Sequence, residues 1–242
     1  YGKHHIDQDD IKAVIKVLKN EALTQGKYID LFEKKLSEYF GSKYACAVSN
    51  ATSALYLLGE ILKWNKADII FCSPLTFLAG SNSILKQGAM PYFIDIEDKY
   101  YTLDPEILES ELKKNKFRNR AKAIIATDYA GQACDWKSLR FLADKYGLKL
   151  INDNCHALGA SYLGRKNYAV KYADYVIQSY HAVKNFTTGE GGSILTNDKK
   201  VYEKFKLMRT HGITKDRMIK KKSGSWYYDM MSFGYNFRMT DI

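Results

Sequence analysis

The chain has 242 residues, of which 46% are hydrophobic and 26% are charged, and its formal net charge is +10. These values are typical of a globular domain and argue against a disordered, collagen-like or coiled-coil chain. No run of about 18 apolar residues is present, and the first ten residues are polar, so we expect neither a membrane-spanning helix nor a signal peptide.

Helical and strand patterns alternate along the chain. Asp7 is the predicted N-cap of a helix in which Ile11, Val14, Ile15 and Leu18 recur with helical spacing. The remaining predicted elements are, in chain order, a helix over 29–40, a strand over 44–48, a helix over 49–62, a strand over 68–73, a helix over 76–87, a strand over 90–95, a helix over 104–112, a strand over 121–127, a helix over 135–147, strands over 148–153, 172–180 and 192–197, and a helix over 199–209.

This alternation predicts one α/β domain with a mostly parallel sheet covered by helices on both faces. Residues 239–242, MTDI, predict the first turn of one more helix with Thr240 as its N-cap. Because a helix should not stop at its cap, we expect the sequence to be part of a longer protein. In such sheets ligands bind beyond the carboxyl ends of the strands, so the search for a site begins there.

The positive charge and the cysteines bear on two other functions, nucleic-acid binding and metal binding. Much of the excess charge lies in 113–122 and 215–222, which predict solvated loops and helix ends, so nucleic-acid binding is the weaker interpretation. A basic surface also suits an anionic small substrate. The cysteines form no CxxC pair and no zinc-ligand spacing with histidines, which predicts reduced, mostly buried thiols and no metal site: Cys46, Cys72, Cys134 and Cys155.

Polar and ionisable residues follow several predicted strands. Thr52 and Ser53 begin the helix after strand 44–48, where hydroxyls and free N–H groups can bind an anion. Asp153 ends another strand, and Lys184 follows an inner strand and precedes the segment TTGEGG. Each of these groups, taken alone, has an ordinary structural role as a cap or a solvated side chain.

Together the groups match what pyridoxal 5′-phosphate requires. The lysine amine can hold the cofactor covalently, the carboxylate can pair with its pyridinium nitrogen, and the hydroxyls can bind its phosphate. Phe77, which follows strand 68–73, can stack on the ring. The sequence has no GxGxxG after a strand, no P-loop motif and no GxSxG around Ser53 or Ser179, which argues against dinucleotide-binding, P-loop and serine-hydrolase functions.

Eight segments, from about residue 1 to residue 242, resemble the nucleotide-sugar aminotransferases of the DegT/DnrJ/EryC1/StrS type, which use pyridoxal phosphate and have the type I (aspartate aminotransferase) fold. The segments are LTQGK (23–27), SNATSAL (49–55), PLTFLA (74–79), DYAG (128–131), NDNCHALGA (152–160), SYHAVKNFTTGEGG (179–192), RTHG (209–212) and GYNFR (234–238). Several matches in one order make the resemblance specific.

The resemblance implies a role for each matched position. Lys184 would hold the cofactor and then move the proton, and Asp153 would pair with the ring nitrogen. The implied phosphate ligands lie in two segments: Ala51, Thr52, Ser53 and Ser179. Phe77 would stack on the ring and His156 would lie near it. Asn236 would reach the phosphate in the partner's site, which implies a homodimer with shared sites. The implied sugar-pocket residues are Tyr1, Leu23 and Thr24, and for His181 a substrate contact and a packing role both stay open.

The resemblance also implies a reaction. Dehydratase relatives have histidine at the position of Lys184, so this chain resembles a transaminase. DYAG together with SYHAVK resembles the enzymes of nonulosonic-acid synthesis, such as the pseudaminic acid route. Those enzymes are cytoplasmic and use glutamate to aminate C4 of a UDP-linked 4-keto-6-deoxy-N-acetyl hexosamine.

Family members continue beyond the equivalent of Ile242 into a smaller domain, so we expect residues 1–242 to form the large, cofactor-binding domain. Two alternatives stay open. One is a catalytically idle fragment or sugar-binding relative, which a further C-terminal domain would argue against. The other, more remote, is a basic nucleic-acid-binding protein, against which Lys184 together with Asp153 argues.

Overall fold

The computed structural model describes residues 3–117, 119–214 and 228–242. Its helices and strands are α1 (Gln8–Asn20), α2 (Lys27–Phe40), β1 (Tyr44–Val48), α3 (Ala51–Ile61), β2 (Ile69–Cys72), α4 (Ala79–Lys86), β3 (Met90–Phe93), α5 (Pro105–Leu112), β4 (Ala121–Thr127), α6 (Trp136–Tyr146), β5 (Lys149–Asp153), α7 (Tyr168–Tyr172), β6 (Tyr175–Ser179), β7 (Gly192–Thr196), α8 (Lys199–Met208), β8 (Ile213–Thr214) and β9 (Asp229–Met230). The elements predicted up to residue 209 occur in the predicted order, and α7, β8 and β9 are additional. Short 3₁₀ turns cover Asn115–Phe117 and Tyr129–Gly131.

Seven strands form one sheet in the order β1-β7-β6-β5-β4-β2-β3. Strands β2 to β6 pair in parallel, whereas β7 is antiparallel to both of its neighbours, β6 and β1. A separate antiparallel ribbon joins β8 to β9. The mostly parallel α/β sheet predicted from the sequence is therefore confirmed.

Helices cover both faces of the sheet. One apolar layer packs α2, α5, α6 and α7 on the sheet, and a second layer packs α3, α4 and α8 on the opposite face. Leu150 belongs to the first layer and Ile151 to the second, as expected for neighbouring residues of a strand whose side chains alternate. Burial on both faces explains why the inner strands are continuous apolar runs. No helix in the described ranges is both long and apolar enough to cross a membrane.

The helix ends follow local capping rules. Asp7 accepts the N–H groups of Asp9 and Asp10 at 2.8 and 3.0 Å, and this capping box begins α1 as predicted. Gly147 ends α6 with a φ of +66°, in the left-handed region that glycine enters without strain. The predicted strand over 172–180 begins later, at Tyr175, because the preceding residues form α7, which the sequence analysis missed.

The apolar stripe of α1 is not part of the core. Ile11, Ile15 and Leu18 are 41%, 44% and 55% exposed, whereas Val17 is buried. The helix itself was predicted correctly, but its most regular apolar face points away from the described chain. A contiguous exposed apolar face of this kind is a feature of surfaces that are covered by another chain or segment.

The helix start at Thr240 stays a prediction. In the structure Thr240 forms an isolated antiparallel bridge with Thr24. The next residue fixes this segment in place. The Asp241 carboxylate accepts the N–H groups of Gly26 and Tyr28 at 2.8 and 3.0 Å, so it caps α2 from a distance and holds this segment extended against the start of that helix.

Candidate active site

The ends of several strands meet at one edge of the sheet. Thr127 at the end of β4 pairs with Asp153 at the end of β5. Gly192 at the start of β7 pairs with both Ser179 at the end of β6 and Val48 at the end of β1. The residues that follow these strands, which the sequence analysis singled out, are therefore brought to the same edge.

The start of α3 forms a cradle of hydroxyl and N–H groups at this edge. Asn50 is the N-cap, and its side-chain oxygen accepts the Ser53 N–H at 2.8 Å and the Ser53 hydroxyl at 2.9 Å. The Ser53 hydroxyl also lies 3.0 Å from the hydroxyl of Ser49, and Ala51 and Thr52 complete the first turn. The N–H groups of a first turn have no partner within the helix, so this turn presents hydroxyls and partial positive charge together.

Gly192 allows the sheet to touch this cradle. A Cβ atom placed on Gly192 would lie 2.4 Å from the nitrogen of Ala51 and 2.4 Å from the carbonyl carbon of Asn50. No side chain fits there, so the close approach depends on glycine. Because Gly192 pairs with Ser179, the same contact brings Ser179 beside the cradle. The sequence pattern placed Gly192 at the start of a predicted strand and indicated no role for it in the site.

Lys184, Asp153 and His156 lie close together. Burial is the largest cause that lowers the pKa of His156, the charge of Lys184 lowers it further, and the charge of Asp153 opposes both. The Asp153 side chain is buried, and one carboxylate oxygen accepts the N–H of Cys155 at 3.2 Å. The site thus contains a buried carboxylate and a half-buried lysine whose charges both act on His156, and the cofactor roles of Asp153 and Lys184 stay predictions.

A strained turn after β4 orients His156. The N–H of Ala130 donates to Nδ1 of His156 at 3.3 Å, and Ala130 adopts a φ of +51° in making this turn. A neutral imidazole that accepts at Nδ1 carries its proton on Nε2, so the bond assigns the tautomer. The ring of Tyr129 lies 6.1 Å from the His156 ring, centroid to centroid.

Tyr180 fixes the loop that carries Lys184. The N–H of Thr188 and the hydroxyl of Thr187 both donate to the carbonyl of Tyr180 at 3.0 Å. The ring of Phe186 packs on that of Tyr180 at 4.8 Å. These contacts tie residues 186–188, which follow Lys184, to the buried Tyr180 and so restrict where the lysine can lie.

Phe77 and His181 lie at the rim of the site. The hydroxyl of Thr76 is 3.1 Å from that of Thr127, which places the Phe77 segment beside the end of β4. Phe77 is 72% exposed, so its ring is available to cover a ligand. His181 is also exposed, with Nε2 3.9 Å from a carboxylate oxygen of Glu190. The stacking of Phe77 stays a prediction, and the role of His181 stays open.

Four predicted site residues are not placed beside Lys184 by the structure. Leu23 and Thr24 lie exposed before α2, and Tyr1 lies outside the described residues. Asn236 is exposed, although the carbonyl of the next residue, Phe237, accepts the N–H of Ser49 at 2.8 Å beside the cradle of its own chain. The sugar-pocket and shared-site roles of these residues stay predictions.

The cysteines are mostly buried free thiols, as predicted. Cys46, Cys72 and Cys134 are buried and Cys155 is half-buried. Burial raises the pKa of Cys46 and of Cys72 to about 12, so neither thiol is an activated nucleophile. Over the described part of the chain, no group of three His, Cys, Asp or Glu residues is placed to hold a metal ion.

The fold is that of a known family. The chain belongs to the DegT/DnrJ/EryC1/StrS aminotransferase family, whose model matches residues 4–242. The resemblance stated from the sequence motifs is therefore confirmed, and so is the fold class of these aminotransferases.

Individual relatives refine the comparison. The chain is 42% identical over 242 residues to the UDP-4-amino-4,6-dideoxy-N-acetyl-β-L-altrosamine transaminase of Campylobacter jejuni strain 81-176, covering all of this chain and 61% of that protein. It matches Helicobacter pylori PseC, an aminotransferase involved in the biosynthesis of pseudoaminic acid, with a TM-score of 0.88 and 35% identity, over 100% of this chain and 62% of PseC. It also matches Bacillus subtilis NtdA with bound cofactor PMP, with a TM-score of 0.80 and 27% identity, over 98% of this chain and 51% of NtdA. The chain thus spans about three fifths of the length of the curated relatives it matches.

Proposed function

We propose that this chain forms the pyridoxal-phosphate-binding domain of an aminotransferase that transfers an amino group from glutamate to C4 of a nucleotide-linked 4-keto-6-deoxy sugar. The observation that carries the proposal is the convergence of Lys184, Asp153 and the start of α3 at one edge of the sheet. The named transaminase of Campylobacter jejuni supports a UDP-linked N-acetyl sugar as the substrate class.

The residues at this edge fit the cofactor. A helix N-terminus with two hydroxyls suits a phosphate, a buried carboxylate suits a protonated pyridine nitrogen, and a lysine amine suits an aldehyde. The lack of room for a Cβ at Gly192 keeps Ser179 and the start of α3 close enough to bind one phosphate together. When bound, the cofactor supplies an aldehyde that exchanges with amines and a ring that takes up electrons.

The protein's own groups then have distinct tasks. Lys184 Nζ would hold the cofactor and would afterwards move a proton to and from the substrate carbon. Asp153 would stabilise a positive charge on the ring nitrogen, and strongly, because its carboxylate is buried and shielded from water. Thr52, Ser53 and Ser179 would bind the phosphate, and His156 would offer its Nε2–H as a hydrogen-bond donor.

Borohydride reduction of the cofactor-loaded full chain, followed by peptide mapping, tests the proposal. We expect a pyridoxyl adduct on Lys184, and no adduct and no transamination in Lys184→Ala. Lys166, an exposed lysine elsewhere on the chain, offers the matched control Lys166→Ala, which should keep the adduct. An adduct on another lysine, or none after incubation with the cofactor, would refute the cofactor assignment.

The substrate requires its own measurement. A panel of nucleotide-linked keto sugars is incubated with glutamate as the amino donor, and the products are analysed by mass spectrometry. One sugar of the panel should be converted to its amino sugar. Asp153→Asn should lose turnover while it stays folded, because it loses the charge partner of the ring. Binding of a nucleotide sugar without any amination would instead favour the sugar-binding alternative.

The proposal includes a homodimer with shared sites. It is supported by the exposure of Asn236 and by the exposed apolar face of α1. Inactive Lys184→Ala chains mixed with inactive Asn236→Ala chains should recover activity, because one site of each mixed dimer would have both residues. No recovery after demonstrated exchange of chains would place each site within a single chain.

We also propose a cytoplasmic location, which the free thiols support. The nucleic-acid alternative finds little support in the basic stretch 113–122. Lys113 and Lys145 both pair with Glu109, at 3.4 and 2.7 Å, and Lys114 pairs with Glu111. These pairs reduce the charge that this surface could offer to a polyanion. The second basic stretch, 215–222, lies outside the described residues.

A further inference from the structure

A fully buried carboxylate lies directly behind the site. Asp128 follows β4, and its side chain has no exposed surface. Five neutral donors converge on its two oxygens at 2.6–3.1 Å: the Cys134 N–H and Trp136 Nε1 on Oδ1, and Asn152 Nδ2, Asn154 Nδ2 and the Tyr168 hydroxyl on Oδ2.

Two of these donors come from the residues on either side of Asp153. Asn152 and Asn154 donate to Oδ2 of Asp128 at 3.1 and 2.7 Å. In a strand, neighbours point to the opposite side from the residue between them, so these amides anchor the backbone while Asp153 points elsewhere. The N–H of Asp128 also donates to the carbonyl of Asp153 at 3.1 Å. Asp128 thus holds the segment 152–154 through three hydrogen bonds.

We infer that Asp128 is a positioning residue of the cofactor site, which fixes the direction of the Asp153 carboxylate by clamping both of its neighbours. The inference rests on the proposed cofactor-binding function. Asp128 acts through Asp153 and need not touch the cofactor. Burial raises the pKa of the Asp128 carboxyl, and the hydrogen bonds from Tyr168, Cys134, Asn152 and Asn154 oppose that rise. All five neighbours donate, so they stabilise the ionised form, and charge-assisted hydrogen bonds are shorter and stronger than neutral ones.

An asparagine cannot replace Asp128 in this role. A carboxylate offers about four acceptor positions, and here five donors already address them. In Asp128→Asn one of the two carboxylate oxygens is replaced by an NH₂ group. In either orientation of the amide this NH₂ group faces hydrogen-bond donors, because Oδ1 has two donors and Oδ2 has three. The shape is kept, but two or three of the hydrogen bonds are lost, and the segment that carries Asp153 is freed to shift.

The test compares three variants of the full chain loaded with pyridoxal phosphate. Asp128→Asn removes the anchor, and Tyr168→Phe removes one of its donors at 2.6 Å with a smaller risk to folding. Asp135→Asn is the matched control, because it makes the same change in a neighbouring carboxylate that caps α6 and bonds Ser138 and Tyr162. The readouts are the cofactor's Kd, the pH dependence of its absorbance, kcat and KM, and the thermal midpoint.

For Asp128→Asn we expect the Kd of the cofactor to rise at least about tenfold, because small misplacements of reacting groups have large effects. The pH midpoint of the cofactor's absorbance titration should shift. The factor by which kcat falls should exceed the factor by which the KM for the sugar changes. Tyr168→Phe should move the same readouts in the same direction by less, and it keeps the test decisive if Asp128→Asn does not fold. Asp135→Asn should lower only the thermal midpoint.

The inference is overturned if Asp128→Asn, or Tyr168→Phe where the former does not fold, lowers the thermal midpoint alone and leaves the Kd and the titration at the wild-type values. Asp128 would then be a structural residue like Asp135. Failure of the proposed function looks different, because the wild-type chain itself would give no adduct on Lys184. That outcome overturns both claims.

Discussion

The contact between Gly192 and the start of α3 yields the most direct prediction. In Gly192→Ala the new methyl group would lie 2.4 Å from two backbone atoms, the nitrogen of Ala51 and the carbonyl carbon of Asn50. Ordinary contacts begin near 3.4 Å, so β7 and α3 must separate by about 1 Å, the difference between 3.4 and 2.4 Å. Neither atom belongs to a flexible side chain that can turn aside.

The expected effects follow from that displacement. Overpacking a buried site by one methyl group costs about 1–3 kcal/mol of the free energy of unfolding. A displacement of about 1 Å in a binding cradle lowers function by as much as about a hundredfold. We therefore expect Gly192→Ala to fold with reduced stability and to bind pyridoxal phosphate with a Kd raised about tenfold to a hundredfold.

Gly80 offers a matched control within the same protein. It lies inside α4, and a Cβ placed on it would meet no atom within 4 Å. Gly80→Ala should therefore raise the free energy of unfolding by about 0.5–1 kcal/mol and leave the cofactor's Kd unchanged. Urea unfolding and absorbance titration with the cofactor measure both quantities. Equal Kd values for Gly192→Ala and the wild type would refute the claim that this contact shapes the cradle.

Two further predictions concern buried charge and acid. Glu33→Ala leaves the Arg209 guanidinium buried without its carboxylate, so urea unfolding should show a free energy of unfolding lowered by about 3–5 kcal/mol. Lys34→Ala, which breaks an exposed ion pair on the same helix, is the control and should leave the urea midpoint unchanged. Because burial and Lys184 lower the pKa of His156, the unfolded chain takes up that proton first, and stability is lost as the pH falls below about 6.5. His156→Gln should remove this part of the loss; parallel pH curves for the two proteins would contradict it.

The order of elements and the residues at the strand ends could be predicted from sequence because both depend on local pattern. Strand β4 was predicted with its observed bounds, since six of its seven residues, all except Lys122, are apolar or small and the run lies between turn-forming neighbours. Asp153 and Lys184 were predicted because each follows an apolar run, and parallel strands carry their ends to one edge. These inferences need no knowledge of which strands are neighbours.

Contacts between distant segments could not be predicted in this way. Asp241 caps α2 from more than 200 residues away, and no local pattern distinguishes it from an ordinary N-cap. The five donors of Asp128 come from α6, β5 and α7 and the segments beside them, so DYAG alone shows only an aspartate before a turn. The exposed stripe on α1 has the periodicity of a buried face. Helical periodicity predicts that a face is covered, but it does not predict which segment or chain covers it.

The reversal of β7 explains why Lys184 lies at the same edge of the sheet as Asp153. A connection between two parallel strands must cross from the carboxyl end of the first strand to the opposite end of the sheet, where the second strand begins. A connection between two antiparallel strands stays at the end of the sheet where the first strand finishes. Because β6 and β7 are antiparallel, residues 180–191 remain over the edge that holds Asp153. Lys184 is therefore kept above the site by topology as well as by the contacts of Tyr180. The same reversal brings Gly192 back to Ser179 and to α3, so one change of strand direction positions both Lys184 and the start of α3 at this edge.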